Sequence, residues 1–133
     1  MSDAKCARVL LDAAERDVGA LRVMRRSHEI SDEIFGFHVQ QAAEKSLKAW
    51  LALLGKVYPL THNLEALLEL FSEANDVSRR FRKLIDYTPY AVEFRYEGIE
   101  SGTDPIDRKG ALTLVEALLA HVRRQLPETR NPS

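Results

Sequence analysis

The chain has 133 residues, the size of a single domain, and is long enough to bury an apolar core without disulfide or metal staples. Its 19 basic and 20 acidic residues give a formal net charge of −1, which excludes a dedicated nucleic-acid coat but leaves room for a local basic patch. The lone Cys6 excludes an intrachain disulfide and thiolate zinc sites, and fits a reducing cytoplasm.

The N-terminal residues are charged and helical in pattern, with no apolar h-region of a signal peptide. Ser2 or Asp3 can cap a first helix that runs to about Arg26, with Leu10, Leu11, Ala14, Val18, Leu21 and Met24 at helical spacing. Ser31, followed by Asp32 and Glu33, marks the start of a second helix that ends at Leu54, with Gly55 as its stop. Within it the longest uninterrupted apolar run, Ala49 to Leu54, falls far short of the ~20 residues that cross a bilayer. The expectation is a cytoplasmic protein that spans no membrane.

Pro59 and Thr61 are read as opening a third helix whose apolar face is Leu64, Leu67, Leu68 and Phe71. Asp76 can cap a fourth, with Val77, Phe81, Leu84 and Ile85 inward, which Thr88-Pro89 interrupts because the residue before proline is pushed out of the helical region. Residues 87 to 105 are irregular and rich in aromatics. Asp104-Pro105 then launches a last helix with the stripe Ala111, Leu114, Val115, Leu118, Val122 and Leu126. No segment sustains period-two alternation. The fold class is all-α: an antiparallel bundle of four main helices plus a short fifth, spanning residues 1–127, with 128–133 as a short flexible tail.

The chemistry usual in such bundles is not spelled out. Di-metal sites want Glu-x-x-His on two helices, and none of His28, His38, His62 or His121 has a carboxylate three residues before it. No metal or other cofactor is expected. No glycine-rich phosphate loop and no nucleophile motif is present. On the second helix, Gln41, Lys45 and Lys48 fall on the side opposite the main apolar face, with His38 close by. A solvated face explains them, since glutamine and lysine are good helix formers; a polar patch that meets a phosphate or a partner explains them equally in kind.

The blocks FHVQQAAEKSLKAWLALLGK, THNLEALLEL and FRYEG, followed by the closing amphipathic helix, resemble the HEPN domain (higher eukaryotes and prokaryotes nucleotide-binding) over nearly the whole chain. The resemblance implies a bundle of about five helices, frequently a homodimer, commonly encoded beside a minimal nucleotidyltransferase in a toxin–antitoxin pair. It also implies either a metal-independent ribonuclease using an Arg-x4-6-His motif, or a non-catalytic module that binds nucleotides.

The only pair at that spacing is Arg22 and His28, at the end of the first helix, where the family does not place its motif. The reading therefore leans away from an enzyme. By resemblance the ligand- or partner-binding candidates are Gln41, Glu44, Lys45, Lys48, His62, Arg95 and Tyr96, with Glu97 standing where the family has proline. The polar groups of the second helix are expected to be buried between subunits of a homodimer. The same dimer is expected to absorb an apolar surplus that includes Leu51 and Phe37. The principal expectation is a HEPN binding protein that partners a nucleotidyltransferase and takes a nucleotide or RNA. One alternative is a ribonuclease with His62 as base and Arg95 as the stabilising cation. The other is a helical scaffold for an unrelated partner.

Overall fold

The computed structural model describes residues 3–71, 79–91 and 105–127. Among them every regular element is helical: α1 (Asp3–Met24), α2 (Asp32–Leu53), a short α3 (Leu64–Leu68), a 3-10 helix (Arg82–Ala91) and α4 (Arg108–Arg124). This is the expected all-α bundle, with α3 as the short member. No helix among the described residues is long and apolar enough to cross a membrane.

Central to the bundle is α2, which packs on α1, α3, the 3-10 helix and α4. Its breadth of apolar residues makes this possible: Phe35, Val39, Ala42, Ala43, Leu47, Ala49, Trp50 and Leu51 are all buried. Alanines at 42, 43 and 49 let neighbouring helices approach closely, while Phe35 and Trp50 fill the space at each end. The long partner α1 presents a single stripe, Ala7, Leu11, Ala14, Val18 and Leu21, whose spacing of three and four keeps one face inward. Leu51 is fully buried within this one chain. Leu51, assigned to a dimer surplus, is thus part of the chain's own core, whereas Phe37 is only half-buried.

The ends of α2 follow local chemistry. Ser31 is its N-cap, accepting the Ile34 amide at 3.3 Å. At the far end Gly55 adopts φ 70, its amide donates to the Ala52 carbonyl and that of Lys56 to Leu51. That pair of bonds is a Schellman motif, whose left-handed residue is cheap only for glycine.

Three boundaries differ from the sequence expectation. The third helix begins at Leu64 rather than near Pro59, because Asn63 is the cap, accepting from Ala66, while Thr61 accepts the Asn63 amide. The segment expected as an α-helix broken at Thr88 is a 3-10 helix that continues through Pro89 to Ala91. Burial of Leu84, Tyr90 and Ala91 outweighs the missing proline donor, and Thr88 caps elsewhere, accepting the Leu64 amide. Tyr90 lies against the backbone at Gly36, where any Cβ would overlap its ring. The proposed cap Asp76 and Val77 lie outside the described residues, as does Asp104. The last helix is capped by Asp107, which accepts the Gly110 amide, and so starts at Arg108.

Arg108 also locks the loop between α1 and α2. Its guanidinium donates to the carbonyls of Met24, Ser27 and Ile30 and to the Asp32 carboxylate, and lies over the Phe35 ring at 5.1 Å. Asp32 in turn accepts the Ile106 amide. One planar group thereby satisfies three carbonyls that the turn leaves without helical partners.

Candidate functional site

Residues 40, 44 and 48 of α2 are one helical turn apart and line one stripe of its surface. There the chain places a buried polar network. Gln40 is fully buried, and its amide nitrogen donates to Glu44 at 2.9 Å and to the His62 carbonyl at 3.0 Å. Its oxygen accepts from Gln41 at 2.7 Å, so neither polar atom of this buried side chain lacks a partner. Glu44 accepts from Gln40, from Lys48 at 3.0 Å and from the ring of His62 at 2.7 Å. Lys48 also lies 5.9 Å from the Tyr58 ring centre.

Burial of Glu44 would by itself push its carboxyl up. Hydrogen bonds from Gln40, His62 and Lys48, together with the Lys48 charge, outweigh that and hold it below the ordinary 4.5. Glu44 is therefore a carboxylate at neutral pH. Because a carboxylate only accepts, the His62 nitrogen facing it, Nδ1, carries hydrogen. The two side chains differ sharply in access: Glu44 is 8% exposed and His62 61%. His62 is the accessible end of a network whose other members are inside.

A second, separate cluster joins α2 to α1. Asp17 accepts from Lys45 at 2.7 Å and pairs with His38 at 2.9 Å. The lysines three residues apart thus serve different carboxylates. Of the residues nominated from the sequence, Gln41, Glu44, Lys48 and His62 come together, through Gln40. Lys45 does not, and Arg95 and Tyr96 lie outside the described residues. Of the polar groups expected between subunits, Glu44 is buried and partnered within the single chain, and Lys48, largely enclosed, pairs with it. Gln40 escaped sequence reading although it shares the stripe of Glu44 and Lys48, and Asp17 escaped because nothing in α1 alone marks it as facing a lysine.

Elsewhere a cleft of about 1030 Å³ opens between the 3-10 helix and α4, lined among others by Lys83, Tyr87, Tyr90, Ile106 and Leu114. Burial, and then Tyr90, push the Tyr87 hydroxyl up to about 12. None of the five described candidates lines this cleft. Among the described residues no group of three or more His, Cys, Asp or Glu is placed to hold a metal ion.

The profile of the HEPN domain matches residues 7–125, from α1 to the end of α4. The chain belongs to the HEPN family. HEPN membership goes with a nucleotide- or RNA-related role, and the matched span contains both polar clusters. No curated protein and no solved structure matches the chain significantly. The one Arg–His pair at nuclease-motif spacing also has a structural assignment: Arg22 donates through Nε and Nη2 to Glu116, at 3.0 and 2.9 Å, and so ties α1 to α4.

Proposed function

We propose that this HEPN protein acts by binding, taking a phosphate-bearing ligand of the nucleotide or RNA class at the face marked by His62. In this reading it works as a homodimer beside a minimal nucleotidyltransferase in a toxin–antitoxin-like module. The observation that carries the ligand reading is the Glu44–His62 contact. A buried carboxylate, itself fixed by Gln40 and Lys48, holds one exposed imidazole whose second nitrogen has no partner among the described residues. Such an imidazole is an oriented donor when protonated and an oriented acceptor when neutral. The engagement of Arg22 with Glu116 supports binding over cleavage, because the cation of the only motif-like pair is already committed.

The homodimer and the enzyme partner rest on the family resemblance. Large apolar side chains left outward, Val57 and Leu60 among them, are consistent with a covered surface. Calorimetric titration with ATP, GTP and short RNAs tests the ligand reading: saturable binding that His62→Ala weakens is expected, and no binding of any of them, or binding that His62→Ala leaves untouched, refutes it. Sedimentation that finds only monomer at micromolar concentration refutes the dimer. Failure to co-purify with a co-expressed nucleotidyltransferase from the same operon refutes the pairing.

The same contact supports one rival. A carboxylate-held imidazole is also the arrangement of a general base, which would make the chain a metal-independent ribonuclease. That chemistry needs a cation at the phosphate, and Lys48, 12% exposed, is spent on Glu44. RNA cleavage in EDTA by the native chain, lost in both His62→Ala and Arg95→Ala, would establish the rival.

A further inference from the structure

A different face carries basic groups that neither polar cluster uses. Where α4 ends, the His121 ring stands edge-on to Trp50, with centroids 5.0 Å apart, and tilted to Phe81 at 6.4 Å. The guanidinium of Arg80 lies 5.2 Å from the Phe81 ring centre. Arg124, three residues after His121, emerges on the same side of α4. Arg80 and Arg124 are both exposed.

Several other arginines are paired with carboxylates. Arg22 pairs with Glu116, Arg123 with Asp12 and Arg82 with Glu65, whereas no carboxylate among the described residues pairs with Arg80 or Arg124. The His121 ring makes no hydrogen bond among the described residues, its carbonyl alone accepting from Gln125. Burial first, then Arg124 and Arg80, lower its basicity, so the ring is neutral at neutral pH and offers one donor and one acceptor while the arginines supply the charge. In a chain of net charge −1 this is a local positive surface with a rigid aromatic floor.

We propose that Arg80, Arg124 and His121 form a phosphoryl-binding site at the α4 end of the bundle. The arginines act as bidentate donors to the phosphate oxygens and the imidazole as a third hydrogen-bonding group. Trp50, 4% exposed, is too enclosed to stack on a base, so the site reads phosphate and not sequence. It is independent of the His62 reading: the residues involved are different.

Trp50 is the single tryptophan, and its edge contact with His121 makes it a built-in reporter. Titration with pyrophosphate and, separately, with a pentaribonucleotide lacking terminal phosphates is followed by Trp50 emission and by calorimetry. Saturable binding is expected with at least one of them. Pyrophosphate alone identifies free phosphate groups as the ligand, and the oligonucleotide identifies the nucleic-acid backbone. Affinity should fall about tenfold or more in the double variant Arg80→Gln/Arg124→Gln, because two charge-assisted contacts are lost. It should stand unchanged in Lys109→Gln, which removes an exposed charge at the other end of α4. The proposal is overturned by absence of a saturable response to either probe, by equal affinity in the double variant, or by the same emission change with sodium chloride at matched ionic strength.

Discussion

Replacing Glu44 with alanine removes the acceptor on which three groups converge. Gln40, fully buried, loses one of its two acceptors, and Lys48, whose side chain is 12% exposed, loses its counter-ion. Breaking a buried pair from one side costs roughly 3–5 kcal/mol. Lysine can extend its ammonium toward water, which places the expected loss at the lower end, about 3 kcal/mol. For a domain of this size that corresponds to a melting-temperature drop of about 10 °C. Glu44→Gln keeps an oxygen for His62 or Gln40 but sets an amide against Lys48, so about half of the loss is expected.

The assay is thermal unfolding followed by circular dichroism, with a pH series. Because the folded carboxyl lies below 4.5, its stabilisation is complete above pH 4.5 and fades as pH falls through the folded value. The gap between native chain and Glu44→Ala must therefore shrink in acid. A gap below about 1 kcal/mol at pH 7, or one that does not narrow in acid, would refute the view that this carboxylate organises the network.

Arg108→Ala should cost about 3 kcal/mol, since it removes the guanidinium bonds to three loop carbonyls and to Asp32, and Arg108→Lys should recover less than half of it; chemical denaturation reads both. Gly36→Ala sets a Cβ into the Tyr90 ring. Overpacking of roughly 1–3 kcal/mol exceeds the helix-propensity gain of about 1 kcal/mol, so a net loss in the urea midpoint is expected, and a more stable variant would show that Tyr90 moves aside freely. Ser46, 1% exposed, carries the one buried side-chain oxygen among the described residues without a partner. Ser46→Ala should be neutral or stabilising by up to about 1 kcal/mol, and a clear loss in thermal unfolding would reveal a hydrogen bond to the preceding helical turn.

What the sequence by itself determined is whatever one helix can decide alone. Ser31 and Gly55 fix the ends of α2 because capping and the left-handed turn are local events, legible from residue type. The stripe of α1 and the apolar breadth of α2 were legible for the same reason: spacing along one helix states which face is apolar. Tertiary structure decided which neighbour covers each face. Glu44 meets a histidine 18 positions away, and Lys45 reaches back 28 positions to Asp17 while Lys48 stays with Glu44. The Glu44–Lys48 pair has the i,i+4 spacing of a single helix, whereas the turn of Lys45 to Asp17 depends on where α1 crosses α2. Residues 82–91 went the same way. Their composition suggests an α-helix broken at Pro89, but a 3-10 helix lets Tyr90 settle on Gly36, and burial against α2 outweighs local propensity.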